Sequence, residues 1–360
     1  MTDWTFFKGK KILITGHTGF KGSWMCRLLA QAGAEITGYA LKPPTVPNMY
    51  ELCHVEQDIC SVEGDIRDLQ RLQSVFDQVK PELVVHMAAQ PIVRESYQNP
   101  VYTYEVNVMG TVNVLECIRQ CDTVRSFVNV TTDKVYRNKE WEWGYRENEE
   151  LNGFDPYSNS KSCSELVTDS YRNSFFGGEG RNIAISTARA GNVIGGGDFA
   201  VDRIIPDMVR AAENERAVLV RNPHSVRPYQ HVLEPVAAYL MILKEQYEKQ
   251  ELSGNYNVGP DEADCLETGK LADMFCEKWK KHYRKALSWY TLNTGSLARE
   301  PHEANYLRLD CSRLKKTFGW HPCWNAEEAV NKTAEWYAAY AAGENVRQCT
   351  DKQIEEFLKR

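Results

Sequence analysis

Lys11-Ile12-Leu13-Ile14-Thr15-Gly16-His17-Thr18-Gly19-Phe20-Lys21-Gly22-Ser23-Trp24 is the stretch that decides the fold. Its first five residues form a short apolar run that ends on glycine, as a buried strand does. Trp24, Met25, Leu28 and Leu29 then recur at helical spacing and stop near Gly33. Between strand and helix stands Gly16-x-x-Gly19-x-x-Gly22. Glycine permits the tight turn and lets backbone approach a pyrophosphate, while the helix N-terminus adds unpaired N–H donors and a favourable dipole. Three glycines alone fit an ordinary turn. At the first strand–helix junction they predict a dinucleotide cradle.

The same alternation continues outward. Strands are expected at 35–40, 83–88, 127–130 and 183–187, with helices at 69–79 and 101–121 between them. Alternating strands and helices predict an α/β fold with a doubly wound parallel sheet. Helices are expected over 204–212, 268–282 and 326–342, and a strand over 255–259. The dinucleotide domain is expected over 1–187, with segments near 230–260 returning to it. A smaller, interleaved substrate domain is expected mainly over 188–360.

Composition narrows the partners. A chain of 360 residues, 42% apolar, can bury one large core or two smaller ones. A net charge of −6 gives no electrostatic footprint for nucleic acid. No run approaches the roughly 20 apolar residues of a membrane helix, and the first residues lack a secretory pattern. Neither nucleic acid nor membrane is expected as a partner, and a cytoplasmic location is. Eleven cysteines without a C-x-x-C pair or a Cys/His cluster read as reduced thiols, with no metal site.

Three further patterns carry chemistry. In Gly64-Asp65-Ile66-Arg67-Asp68, Asp65 can accept from an adenine amino group and the Ile66 N–H can donate, although a loop acid and a helix start explain them equally. The stretch Tyr39-Ala40-Leu41-Lys42-Pro43-Pro44 offers no acid for a ribose where one often stands. Lys42 either reaches a 2′-phosphate there, favouring NADP, or is solvated. Tyr157-Ser158-Asn159-Ser160-Lys161 puts Tyr157 and Lys161 on one helical face, where the ammonium is expected to lower the phenol's pKa and make it a base. Thr131-Thr132-Asp133-Lys134 follows a buried strand, and in an open α/β sheet the ligand crevice lies beyond the carboxyl ends of the strands. Thr132 can bond the same substrate oxygen as Tyr157, and Asp133 and Lys134 add an acid and a base.

Gly16-x-x-Gly19-x-x-Gly22, Asp65-Ile66, His86-Met87-Ala88-Ala89-Gln90, Asn107, Thr132 and Tyr157-x-x-x-Lys161 together resemble the extended short-chain dehydrogenase/reductase family, also called the NAD-dependent epimerase/dehydratase family. The resemblance covers nearly the whole chain. Thr132-Asp133-Lys134 is similar to its nucleotide-sugar 4,6-dehydratases, and among them to those that act on CDP-glucose. It implies NAD held by Gly16, His17, Gly19, Phe20, Gly22, Asp65, Ile66, Ala88, Ala89, Gln90, Asn107, Tyr157 and Lys161. It implies catalysis by Thr132, Asp133, Lys134, Tyr157 and Lys161. Tyr157 would take the C4 hydroxyl proton, Lys134 the C5 proton, and Asp133 would assist loss of the C6 hydroxyl. Segments around Asn192, Arg203-Ile204, Arg221, Arg227-x-Tyr229-x-His231, Arg299 and Tyr306 resemble substrate-binding segments, and their arginines suit phosphate oxygens. The expected product is CDP-4-keto-6-deoxyglucose, a deoxysugar precursor of lipopolysaccharide. A homodimer, or a dimer of dimers, is expected through the helices at 101–121 and 156–175. The alternatives are a nucleotide-sugar 4-epimerase, which needs no C5–C6 acid/base pair, and a nonenzymatic dinucleotide sensor.

Overall fold

The computed structural model describes residues 3–177, 182–292 and 306–360. Seven strands form its central sheet: β1 (Lys11–Thr15), β2 (Glu35–Ala40), β3 (Cys60–Glu63), β4 (Leu83–His86), β5 (Ser126–Thr132), β6 (Ala184–Ala190) and β7 (Asn255–Val258). All neighbours pair in parallel, in the order β7-β6-β5-β4-β1-β2-β3. The order reverses between β1 and β4, and there the carboxyl ends of the strands open a crevice. Thr15 is paired with Tyr39 on one side and His86 on the other, so the glycine turn lies at that reversal.

Two-residue periodicity divides the core. Ile12 and Ile14 face one layer with Trp24, Met25, Leu28 and Leu29 of α1 (Phe20–Gln31). Leu13 faces the other, with Val84, Leu115, Ile118 and Phe127. The elements not expected from the pattern include three that build the fold. β3 is a largely exposed edge strand without an apolar run. Leu233–Glu248 is buried nearly all round, so it shows no amphipathic stripe, and its Pro235 sits harmlessly in the first turn. Val346–Leu358 closes the chain as a further helix.

Two of the shifts from the expected bounds lie near the crevice. β4 ends at His86 rather than 88. The helix expected at 101–121 is interrupted: Pro100–Tyr104 and Gly110–Gln120 flank a π-helical segment, Glu105–Met109, that contains Asn107. Such segments often mark functional positions. Helix α2 (Pro156–Phe175) begins with Asp155, whose carboxylate accepts from the Ser158 N–H. The helices Ile204–Glu213 and Ala326–Ala341 both pack against Thr268–Tyr283. Among the described residues no helix is long and apolar enough to cross a membrane.

Candidate active site

The glycine turn is shaped by close approach. Gly16 has φ +77°, and a Cβ there would lie 2.7 Å from the Ala88 nitrogen. A Cβ on Gly22 would lie 2.3 Å from the Gly16 oxygen. Gly19 differs: its Cβ would meet only the Gly16 oxygen, at 3.4 Å. It caps α1 without a side-chain hydrogen bond, and the first amide to bond back to it is that of Ser23. The amides of Phe20, Lys21 and Gly22 therefore lack helical carbonyl partners and suit an anion. This cradle fits the pyrophosphate of a dinucleotide, with the partly exposed Ala88 and Ala89 beside it.

A buried polar network fixes the adjoining loop. The Met87 and Ala88 amides both donate to Thr15 Oγ1, so the Thr15 hydroxyl donates to His86 Nδ1 at 2.7 Å. His86 Nε2 then faces Thr111 Oγ1 at 3.3 Å. Burial holds the His86 pKa down to about 3, so the ring is neutral. Asn107 accepts from the Gln90 amide at 2.9 Å and donates to the Gln90 carbonyl and to Ser160 Oγ. Gln90 spends its side chain on Ile92 and Thr103. Both were expected at the cofactor. Their side chains are instead consumed in pinning the loop after β4 to α2.

His17 is fully buried rather than at the open face of the cradle. Its ring lies so close over β2 that a Cβ on Gly38 would be 2.2 Å away, and Nε2 meets Ser61 Oγ at 2.8 Å. Burial lowers its pKa to about 4. The Asp65 carboxylate is held by Arg67, whose Nη2 is 2.8 Å away, and Arg67 lowers its pKa. The Ile66 carbonyl accepts from Asn113. Lys42 is exposed.

The chemical groups gather at the ends of β5 and α2. Thr132 Oγ1 and Lys134 Nζ each donate to Asp133 Oδ1 at 3.0 Å. Asp133 is fully buried, and its Oδ2 has no partner. Thr132 also draws down the pKa of Tyr157, but burial dominates and pushes the phenol up to about 12. The expectation that Lys161 lowers it is corrected here. Lys161 Nζ donates to the Val130 carbonyl at 3.2 Å, and Arg203 is the cation with the largest effect on Tyr157. Burial brings Lys161 itself to about 8. Beneath the site Glu165 accepts from Thr131, Thr187 and Arg189, a fully buried ion pair that fixes β5 and β6 against α2.

The second half supplies some expected groups and withdraws others. Arg203 Nη1 lies 2.7 Å from Asp198, one residue before Ile204 opens its helix. Asn192 Oδ1 is buried without a partner. Arg221 pairs with Asp202 at 3.2 Å, and the buried Arg227 donates to its own strand's Val226 carbonyl. Tyr306 bridges to Val226 under the Arg308 guanidinium. Tyr229 is buried in the core with its hydroxyl 3.0 Å from Thr268, and His231 is fully buried between Trp24 and Trp324, its pKa lowered to about 3. Arg299 lies outside the described residues.

Two further side chains join the site. Lys21, in the first turn of α1, feels the charges of Arg203, Lys161, Asp133 and Lys134, and its Nζ lies 5.9 Å from the Tyr239 ring. Tyr239 has a buried hydroxyl without a partner and feels the charge of Tyr157 and Asp133. A lysine between Phe20 and Gly22 is the signal for the first. The second had none, because its helix was not expected.

Along nearly its whole length the chain is similar to known proteins. The family model described as GDP-mannose 4,6 dehydratase matches residues 13–333. A protein of Salmonella typhimurium named CDP-glucose 4,6-dehydratase is 45% identical over 362 aligned positions, 99% of each chain. A dTDP-glucose 4,6-dehydratase from Bacillus anthracis, solved in complex with NAD, superposes with a TM-score of 0.74 at 20% identity, covering 93% of this chain and 99% of that one. A UDP-glucose 4-epimerase from Stenotrophomonas maltophila, with bound NAD, gives 0.79 at 20% identity and the same coverage. These two structures share the fold.

Proposed function

The chain belongs to the GDP-mannose 4,6-dehydratase family, and on that premise we propose that it converts CDP-glucose to CDP-4-keto-6-deoxyglucose and water, with NAD as cofactor. The observation that carries elimination over epimerisation is the Asp133–Lys134 contact at the end of β5, beside Thr132 and Tyr157. Epimerisation at C4 needs no such pair.

The cradle at Gly16, Gly19, Phe20 and Gly22 would hold the dinucleotide pyrophosphate, with Ala88 and Ala89 alongside. Lys161 would reach its nicotinamide ribose, and Asp65 and Ile66 its adenine edge. When bound, NAD would supply a hydride acceptor for C4 and a hydride donor for C6, with no net consumption.

Tyr157 takes the proton of the C4 hydroxyl while Thr132 bonds the same oxygen. A phenol at about 12 becomes an effective base only with positive charge nearby, and Arg203 supplies part of it. The C4 ketone acidifies the C5 proton, which Lys134 removes, and Asp133 protonates the departing C6 hydroxyl. As an ion pair both groups hold the wrong protonation state. Transfer of one proton across the 3.0 Å contact makes Asp133 an acid and Lys134 a base with no net exchange. Arg203, Arg221, Arg227, Asn192, Ile204 and Tyr306 would line the CDP-sugar, the arginines facing its phosphates.

Val101, Met109, Leu166 and Phe175 are exposed on Pro100–Met109 and α2, a face suited to a two-fold partner. We assign a homodimer through it. All eleven cysteines are free, which supports a reducing, cytoplasmic location and a place in deoxysugar synthesis for lipopolysaccharide. The test is incubation with CDP-, UDP-, dTDP- and GDP-glucose plus NAD, followed by mass measurement. CDP-glucose should give a product lighter by one water. An isomer of unchanged mass would identify an epimerase, and no product a binding protein.

A further inference from the structure

We propose that Ser162 is a positioning residue for elimination: its hydroxyl fastens the turn that carries Asp133 and Lys134 to the helix that carries Tyr157. The inference rests on the reading of this site as a 4,6-dehydratase. Oxidation and elimination act on neighbouring carbons of one sugar, yet their groups stand on two elements. Tyr157 and Lys161 lie at the start of α2, whereas Asp133 and Lys134 occupy a single 3₁₀ turn, Asp133–Val135, after β5. Such a turn has poorer hydrogen-bond geometry than an α-helix. Its start is held by Thr132, whose hydroxyl accepts from the Lys134 amide at a long 3.4 Å. Its end is held from α2.

Ser162 Oγ donates to the Val135 carbonyl at 2.7 Å. The Ser158 carbonyl, one helical turn back, is the ordinary partner of a serine within a helix, but it lies farther away, at 3.1 Å. The same hydroxyl oxygen accepts from the Gly153 amide at 3.0 Å. Gly153 is pressed against the first turn of α2, where a Cβ would lie 2.3 Å from the Ser158 carbonyl carbon. One hydroxyl therefore joins the acid/base turn, the loop before α2 and α2 itself. Ser162 is 2% exposed and Val135 is fully buried, so these bonds are made away from bulk water.

The groups of the oxidation step are placed by other bonds. Upstream of the turn, α2 holds β5 through Lys161 on the Val130 carbonyl and Glu165 on Thr131. The Ser162 bond is made beyond them, at the far end of the turn. Without it, Val135 still accepts from the Asn152 amide, and Thr132 keeps its place at the end of β5. The turn then has freedom to shift against Tyr157. A displacement of about 1 Å at a reacting group costs on the order of 100-fold in rate.

The test is single turnover of the protein with CDP-glucose and NAD, with reduced cofactor read by absorbance and water loss by mass. Ser162→Ala should slow water loss by about tenfold or more and C4 oxidation by less than about threefold, so that reduced cofactor accumulates. Thr168→Ala is the structural control. It removes another buried hydroxyl of α2, one bonded to Asn129 and the Ser164 carbonyl instead of the turn. It should lower the urea midpoint and leave the ratio of the two rates at the wild-type value. Ser162→Cys, of similar size with a weak S–H donor, should show the same imbalance in milder form, and it decides the matter if the alanine variant does not fold. An unchanged ratio in the folded Ser162 variants, or an equal change in Thr168→Ala, would overturn the proposal and leave Ser162 a structural hydroxyl only. Wild-type protein that removes no water from CDP-glucose would overturn the dehydratase reading, and this one with it.

Discussion

Lys134 Nζ lies 3.0 Å from Asp133 Oδ1, while the other oxygen of that buried carboxylate has no partner. One face of Asp133 is thus tied to the base and the other is free for a leaving hydroxyl. Neither group is needed to move the C4 hydrogen. Asp133→Asn and Lys134→Met should therefore slow water loss by roughly 10²–10⁴-fold while slowing C4 oxidation much less. Single-turnover absorbance would show reduced cofactor accumulating. Exchange of the C5 proton with deuterium should fall most in Lys134→Met. Normal dehydration in both variants would leave the pair as a polar loop.

The cradle makes a separate prediction. Gly22→Ala places a methyl 2.3 Å from the Gly16 carbonyl, so the turn must open. Overpacking of this kind costs about 1–3 kcal/mol. The variant should remain folded but lose dinucleotide affinity, read by calorimetry, while CDP binding persists. Unchanged dinucleotide affinity would move the cofactor elsewhere.

Much of this site was legible because its chemistry is local in sequence. The glycine turn and Thr132-Asp133-Lys134 lie at the ends of strands, and Tyr157-x-x-x-Lys161 lies at the start of a helix, and these places follow from the alternation of strands and helices. The strands at Lys11–Thr15 and Glu35–Ala40 were legible for the same reason. What failed was direction. Nothing in the sequence says that Lys161 turns to the Val130 carbonyl, that Asn107 clasps Gln90, or that His231 lies between two tryptophans. Motif residues can serve the shape of a loop as readily as a ligand, and only packing separates the two.

Buried histidines give a pH signature. His86 and His231 are lowered from 6.5 to about 3 by burial, and His17 to about 4. The unfolded chain binds these protons more readily. Their contribution to stability is therefore full above about pH 6.5 and is lost as pH falls toward their folded values. Each costs about 2 kcal/mol by about pH 5. Urea unfolding should show wild-type stability falling between about pH 7 and 5, and His231→Gln should flatten that fall by about one histidine's share. An identical fall in the variant would mean that His231 is protonated in the fold.

The last prediction concerns the cation that acts on Tyr157. Burial pushes this phenol up to about 12, and Arg203 is the cation that most opposes it. Tyr157→Phe should abolish C4 oxidation and leave dinucleotide binding intact, since the hydroxyl is the proton acceptor. Arg203→Gln should act on the same step by another route. Removing a neighbouring positive charge raises an acid's pKa, so less phenolate is present at neutral pH. The acidic limb of the pH profile for kcat/KM should shift to higher pH, with a rate loss of about tenfold per unit at fixed neutral pH, recovered as the solution is made more alkaline. A role confined to holding substrate phosphate predicts a different result: KM rises at every pH and the limb stays in place. Arg203 pairs with Asp198 at 2.7 Å, so Asp198→Asn offers a control of opposite sign. With the countercharge gone, the guanidinium acts more strongly on the phenol, and the limb should move toward lower pH. Limbs that coincide in wild type and both variants would remove Arg203 from the activation of Tyr157.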